Sequence, residues 1–244
     1  VVDAFASRLG VEKGRTSGAG MTAGINFLRD ESLGEEAYTL TVTSDKVVIK
    51  AATRTGLFYA VQTLKQLMPT AVYGTSAVTE TWTIPAVDIA DEPRFGYRGF
   101  LLDVCRHFFS VDEVKKYLDL MAMHKMNRFH FVLTNDQGWR FPVPKYPKLI
   151  TVGAYRVASP AYPGYSRDNG FYTKEQLQEI VRYAAERCIT VVPEFDIPGH
   201  TIAALASYPE LGCVGSGYSV STSAGTSADV LCLGKDPEYT FVKD

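Results

Sequence analysis

Three short clusters of ionisable and polar residues in this sequence suit acid–base chemistry and the binding of hydroxyl-rich ligands. They lie at residues 103–107, 135–140 and 194–200, and each combines a carboxylate with an arginine or a histidine. Carboxylates and imidazoles transfer protons, whereas a guanidinium offers a rigid fork of hydrogen-bond donors. We therefore take these clusters as the candidate site of an enzyme that acts on a polar ligand.

Each cluster follows a short apolar run that is typical of a β-strand, and helical patterns lie between the runs. Helix starts are predicted at Ser110 and at Thr173, because Glu113 and Gln176 complete capping boxes there. Strands that alternate with helices predict a parallel sheet. The carboxyl ends of parallel strands meet at one edge, which is the active-site face of a (β/α)₈ barrel and the ligand crevice of an open sheet. The three runs are Phe100–Val104, Phe129–Leu133 and Ile189–Val192.

The upstream part of the chain has a different pattern. Alternating apolar residues over Tyr38–Val42 and the run Val47–Ala51 predict a hairpin, with the turn signal Ser44-Asp45 between them. A helix is predicted to follow from Thr55 and to end before Pro69. We read residues 1–88 as a small α+β domain, residues 85–93 as the linker, and residues 89–244 as the catalytic part.

Several of the candidate residues have plainer explanations. Asp103 and Arg106 could form a structural ion pair, His200 could be a satisfied surface histidine, and Trp139 could be a core residue. A metal site has little support, because the sequence contains neither His-x-His nor HExxH spacing. The joint placement of the clusters after three strands is what favours a functional site.

Charge and composition argue against nucleic-acid binding and against a membrane span. The formal net charge is −2, and the sequence shows no basic stripe, which argues against nucleic-acid binding. No apolar run is long enough to predict a membrane span.

Of the four cysteines, Cys105 and Cys188 are predicted to be core thiols. Cys213 and Cys232 flank a Gly/Ser-rich loop and are the only plausible disulfide pair, although spacing alone does not fix the bond.

Four stretches of the sequence closely resemble glycoside hydrolase family 20, the β-N-acetylhexosaminidases, in order and spacing. The resemblance covers about residues 30 to 244, and it includes the upstream α+β segment. The family's fold implies an α/β catalytic domain, a (β/α)₈ TIM barrel of which only the first three or so βα units are present here, preceded by the small α+β domain. A half barrel would expose apolar strand faces. The stretches are Tyr97–Phe109, His124–Asn127, Asn135–Arg140 and Pro193–His200.

The resemblance also implies roles for individual residues. Arg106 matches the arginine that binds hydroxyls at the non-reducing end of the sugar, and His200 matches the histidine that supports the catalytic acid. Asn135 stands where many members carry the aspartate that pairs with this histidine, so the pairing is expected to be altered here. Asp136 is the retained second position of that pair. We expect no cofactor.

The family removes terminal, β-linked N-acetylhexosamine with retention, and the acetamido group of the substrate acts as nucleophile. In the family, the aspartate that orients the acetamido group and the glutamate that protonates the leaving oxygen lie in a His-x-Gly-Gly-Asp-Glu motif. This sequence lacks that motif. The chain ends in a segment that resembles the helix before that motif, so the rest of the barrel is expected from the parent protein. The 244-residue chain alone is expected to be inactive. The alternative function is an inactive carbohydrate-binding module on the same fold.

The partners expected from the resemblance are glycans or chito-oligosaccharides with a terminal N-acetylhexosamine, with neither nucleic acid nor a membrane span involved. We expect a secreted, periplasmic or lysosomal-type compartment rather than the cytoplasm. The sequence does not determine whether N-acetylglucosamine or N-acetylgalactosamine is preferred, or which glycosidic linkage is cleaved.

Overall fold

The computed structural model describes residue 9 and residues 24–74, 81–157, 169–223 and 225–244. The described residues fall into two compact units. The first comprises those within residues 1–98, 120–127 and 186–188, and the second those within residues 99–119, 128–185 and 189–244. Of the small domain predicted over residues 1–88, residues 1–8, 10–23 and 75–80 lie outside the described residues.

The first unit is a four-stranded sheet with one helix packed on it. Strands β2 (Tyr38–Val42) and β3 (Lys46–Ala51) form the predicted antiparallel hairpin. Strand β1 (Gly24–Arg29) adds to β3 in parallel, so that the order of these three strands is β1-β3-β2. Helix α1 (Arg54–Leu67) packs on β2 and β3. It begins one residue before the predicted start, because Oγ1 of Thr53 accepts the N–H groups of Thr55 and Gly56.

The segment predicted as a linker is in fact part of this sheet. Strand β4 (Val87–Asp91) pairs antiparallel with β2, Tyr38 opposite Asp91 and Val42 opposite Val87. The predicted boundary between residues 88 and 89 therefore falls inside a strand. Prolines at positions 85 and 93 suggested a linker, but they lie just outside the strand and leave its hydrogen-bonding groups intact.

The second unit contains the three predicted strands as one parallel sheet, in the order β5 (Gly99–Asp103), β6 (Arg128–Val132) and β9 (Thr190–Glu194). Helix α2 (Val111–Met123) links β5 to β6. Both capping boxes form: Oε2 of Glu113 accepts the Ser110 N–H at 2.7 Å, and Oε1 of Gln176 accepts the Thr173 N–H at 2.8 Å. The other strands and helices described in this unit are the short hairpin β7 (Thr134–Asn135) and β8 (Gly138–Trp139), helices α3 (Lys148–Thr151), α4 (Lys174–Glu186), α5 (Ile202–Ser207) and α6 (Asp236–Lys243), and a 3-10 helix at Pro209–Leu211.

The two faces of the β5-β6-β9 sheet differ. Leu102, Phe129 and Phe131 are buried on one face, whereas Leu101 is 51% exposed on the other. Leu101 lies in register with His130 and Val192, and Val192 is also exposed. This face thus exposes apolar side chains, as the sequence predicted for an open barrel segment, but it also carries polar ones such as His130.

A disulfide joins Cys213 to Cys232, the pair that the sequence left undecided. Cys105 is a buried free thiol, as predicted, and burial raises its pKa well above the usual value. Cys188 is only half-buried and has a positive φ of 59°, so it ends a turn rather than filling the core.

Candidate functional site

The three clusters meet at one edge of the parallel sheet, as the sequence predicted. Asp103, Val132 and Glu194 are aligned across the three strands, and each is the last residue of its strand. The segments that follow them carry Arg106, Asp136 and His200. Because the strands are parallel and in register, all three segments leave the sheet at its carboxyl edge.

His200 and Asp136 form the central pair of the site. Nδ1 of His200 lies 3.0 Å from Oδ2 of Asp136, while Oδ1 of Asp136 accepts the backbone N–H of Ile202 at 3.1 Å. Asp136 is 2% exposed, and the His200 side chain is 27% exposed. Among the described residues nothing hydrogen-bonds Nε2 of His200. A buried carboxylate at one ring nitrogen fixes the tautomer and orientation, which leaves the other nitrogen for a reacting group.

Asn135 does not pair with His200, contrary to the role that the resemblance assigned to this position. Its Oδ1 accepts the backbone N–H of Asp136 at 2.9 Å, and the residue is buried. Asn135 is the last residue of β7 and pairs with Gly138, whereas Asp136 opens the two-residue turn of the hairpin. The turn directs the Asp136 side chain towards His200. The histidine therefore keeps a carboxylate partner even though position 135 carries an amide.

Arg106 lies directly after β5, where Asp103 organises its backbone. Oδ1 of Asp103 accepts the N–H groups of Cys105 at 2.8 Å and of Arg106 at 3.0 Å, and Oδ2 accepts Nη1 of Arg106. The Arg106 side chain is still 46% exposed. Within the described part of the chain it makes no hydrogen bond to Asp136 or His200. The ion pair with Asp103 exists, and it leaves guanidinium donors facing solvent at the carboxyl edge of the sheet.

Two further features of the site were missed from the sequence. Nε2 of His130 pairs with Oε2 of Glu194 on the neighbouring strand. Arg140 is completely buried and donates to backbone carbonyl oxygens. Because successive side chains of a strand point to opposite faces, the position of His130 between Phe129 and Phe131 could have predicted that His130 lies on the other face of β6. No local pattern indicated that Arg140 would be buried.

In the described part of the chain, no three His, Cys, Asp or Glu side chains converge as a metal site. Within the same residues, no helix combines the length and apolar character that crossing a bilayer requires.

Family models match nearly the whole chain. The model described as "Glycosyl hydrolase family 20, catalytic domain" matches residues 95–244, and "Glycosyl hydrolase family 20, domain 2" matches residues 2–92. The chain belongs to glycosyl hydrolase family 20. The resemblance noted from the four sequence stretches is thereby confirmed.

Individual members of family 20 agree with this assignment. A β-hexosaminidase of Porphyromonas gingivalis is 47% identical over 212 residues, which are 87% of this chain and 27% of that protein. The solved family 20 β-N-acetylhexosaminidase of Streptomyces coelicolor superposes with a TM-score of 0.89 at 42% identity, covering 98% of this chain and 48% of that one. A Streptomyces plicatus β-hexosaminidase mutant in complex with its product N-acetylglucosamine gives a TM-score of 0.88 at 42% identity, with the same coverage.

These similarities confirm the predicted fold class, the first strands of a (β/α)₈ barrel together with a small α+β domain. The chain spans less than half the length of each of these three relatives.

Proposed function

We propose that the protein containing this chain is a β-N-acetylhexosaminidase, which hydrolyses terminal, β-linked N-acetylhexosamine from the non-reducing end of glycans. The observation that carries the proposal is the Asp136–His200 pair at the carboxyl edge of a family 20 sheet. A histidine held by a buried carboxylate can support a neighbouring acid while that acid gives its proton to the leaving oxygen. The retaining, substrate-assisted route of the family needs such an acid beside the sugar.

Arg106 is the substrate-binding residue in this proposal. Its guanidinium is half-exposed, always charged, and fixed at its base by Asp103. Hydroxyl oxygens of a terminal sugar are suitable acceptors for its free donors. Because this contact is remote from the anomeric carbon, it contributes to binding in the ground state as well as in the transition state.

N-acetylglucosamine is the first substrate group to test, since it is the product bound in the Streptomyces plicatus relative. We also propose glycans or chito-oligosaccharides as natural substrates, and a secreted, periplasmic or lysosomal-type compartment. The Cys213–Cys232 disulfide supports the compartment, because disulfides persist mainly in oxidising environments.

The test is hydrolysis of chromogenic β-N-acetylglucosaminide and β-N-acetylgalactosaminide by the full-length protein, with the β-glucoside as control. We expect turnover of the N-acetylated substrates only, since the acetamido group is the nucleophile. Arg106→Lys should remove most of the activity, because the charge stays and the fork is lost. The 244-residue chain, which lacks the His-x-Gly-Gly-Asp-Glu motif, should not turn over either substrate. Binding of N-acetylglucosamine without any turnover by the full-length protein would favour the inactive binding module instead.

A further inference from the structure

Arg140 is a fully buried cation that is satisfied mainly by backbone carbonyl oxygens. Its side chain is 0% exposed. Nε donates to the carbonyl oxygen of Val104 at 2.9 Å, and Nη2 to that of Cys105 at 2.8 Å. Nη1 donates to the carbonyl oxygens of Ala154 and Gly170, both at 2.8 Å. Such a set of acceptors satisfies the planar fork of donors that only arginine presents.

Two of these carbonyl groups belong to the residues directly before Arg106. The same peptides are held from their N–H side, because Oδ1 of Asp103 accepts the N–H groups of Cys105 and Arg106. The backbone that leads into Arg106 is therefore fixed on both sides. Asp103 accepts the N–H groups of these peptides, and Arg140 donates to their carbonyl oxygens.

The backbone of Arg140 is itself fixed. Its N–H donates to the carbonyl oxygen of Leu133 at 2.9 Å, and its carbonyl oxygen accepts the N–H of Tyr172 at 3.0 Å. The guanidinium also lies 5.4 Å from the centre of the Phe108 ring, within the range of a cation–π contact. Arg140 thus links the end of β5 to the segment after β6.

The space for the guanidinium depends on Gly138. A Cβ atom at this position would lie 2.4 Å from Cζ, 2.5 Å from Nη2 and 2.8 Å from Nε of Arg140. Any side chain at position 138 would therefore push the guanidinium away from its carbonyl acceptors. This gives a way to displace the group without changing Arg140 itself.

We propose that Arg140 is a positioning residue for substrate binding, which holds the Val104–Cys105 backbone so that Arg106 faces the sugar. The inference rests on the proposed function of Arg106 as the sugar-binding residue. Arg140 touches no substrate; it acts through the peptide bonds that precede Arg106. Its loss therefore weakens substrate binding without altering the groups that perform the chemistry.

The test compares Arg140→Lys, Arg106→Lys and the double variant in the full-length protein, with a chromogenic β-N-acetylglucosaminide as substrate. Arg140→Lys should raise KM by about tenfold or more and change kcat by less than about threefold, the pattern expected when uniform binding is lost. In the Arg106→Lys background, Arg140→Lys should raise KM only slightly further, because the effects of two residues that act through one another are not additive. A residue with only a structural role would lower the folded fraction, and hence kcat, in both backgrounds.

Gly138→Ala is the second variant, for the case that Arg140→Lys does not fold. It should raise KM in the same way. Gly234→Ala is the matched control, since a Cβ there meets no atom within 4 Å, and it should leave KM unchanged.

The outcomes separate the two proposals. If Arg106→Lys lowers activity and neither Arg140→Lys nor Gly138→Ala raises KM, the positioning role is wrong and the sugar-binding role stands. Fully additive effects of Arg140→Lys and Arg106→Lys would also overturn the positioning role. If Arg106→Lys itself has normal kinetics, the proposed function of Arg106 fails.

Discussion

Asp136 joins two parts of the site that are far apart in the chain. Its Oδ2 lies 3.0 Å from Nδ1 of His200, and its Oδ1 accepts the N–H of Ile202, the first residue of α5. One buried carboxylate thus fixes both the imidazole ring and the start of the helix that follows it.

Asp136→Asn should lower kcat in the full-length protein on the order of 10²-fold, the lower end of what general acid–base groups contribute. An amide still accepts a hydrogen bond, but it carries no charge to stabilise an imidazolium at His200. The measurement is kcat and kcat/KM against pH. A variant with unchanged kcat and an unchanged pH profile would show that the pair has no part in the chemistry.

Asn135→Asp should change the same pH profile much less than Asp136→Asn does. The side chain at position 135 accepts the N–H of Asp136 rather than contacting His200, and a carboxylate can accept that bond as well. It therefore serves as the matched control for the preceding variant. If instead Asn135→Asp shifts the profile more than Asp136→Asn, the histidine responds to position 135 and the geometry described here is not the working one.

Reduction of the Cys213–Cys232 disulfide should lower the free energy of unfolding by about 3 kcal/mol, the value for a closed loop of this size. The loop that the disulfide closes also hydrogen-bonds the site. The Ser221 N–H donates to the carbonyl oxygen of Asp136, and the Leu231 N–H donates to the carbonyl oxygen of Pro198. Activity should therefore fall together with stability. Thermal unfolding with and without dithiothreitol measures the effect, and a Cys213→Ser, Cys232→Ser variant should no longer respond to the reductant. Equal melting temperatures of the oxidised and reduced protein would contradict the prediction.

Glu36→Gln should destabilise the first unit at neutral pH, by about 1.5–3 kcal/mol, the range for hydrogen bonds to a charged group. Burial alone would raise the pKa of Glu36, but hydrogen bonds from Arg98, Tyr59 and Asn127 outweigh it and lower the pKa below its ordinary value of 4.5. A lowered pKa means that the stabilisation is present above pH 4.5 and is lost as the pH falls through the folded-state value.

The measurement for Glu36 is the free energy of unfolding from pH 7 down to pH 2. The difference between the native protein and Glu36→Gln should shrink as the acid is protonated. A difference that stays constant over this range would show that the charge of Glu36 makes no contribution. Thr43→Ala is a suitable comparison, because the hydroxyl of this exposed threonine hydrogen-bonds backbone groups of Asp45 and Lys46, so the stability difference it causes should not depend on pH in this way.

The sequence by itself determined the local elements and the edge at which the chemistry lies. Capping boxes at Ser110 and Thr173, the alternation over Tyr38–Val42 and the three apolar runs depend on residues within one turn or one strand of each other. Parallel pairing then brings the strand ends together. For this reason the positions of Arg106, Asp136 and His200 at one edge could be predicted without coordinates.

Only the tertiary structure decided which residues are partners across that edge. Asn135 and Asp136 are neighbours in sequence, and the turn between β7 and β8 selects Asp136 for His200, 64 residues away. Arg140 likewise finds carbonyl acceptors 14 to 36 residues distant in sequence. Side-chain direction at a turn, and the burial of a cation among distant carbonyl groups, depend on how separate segments pack together, and no short-range pattern in the sequence encodes that.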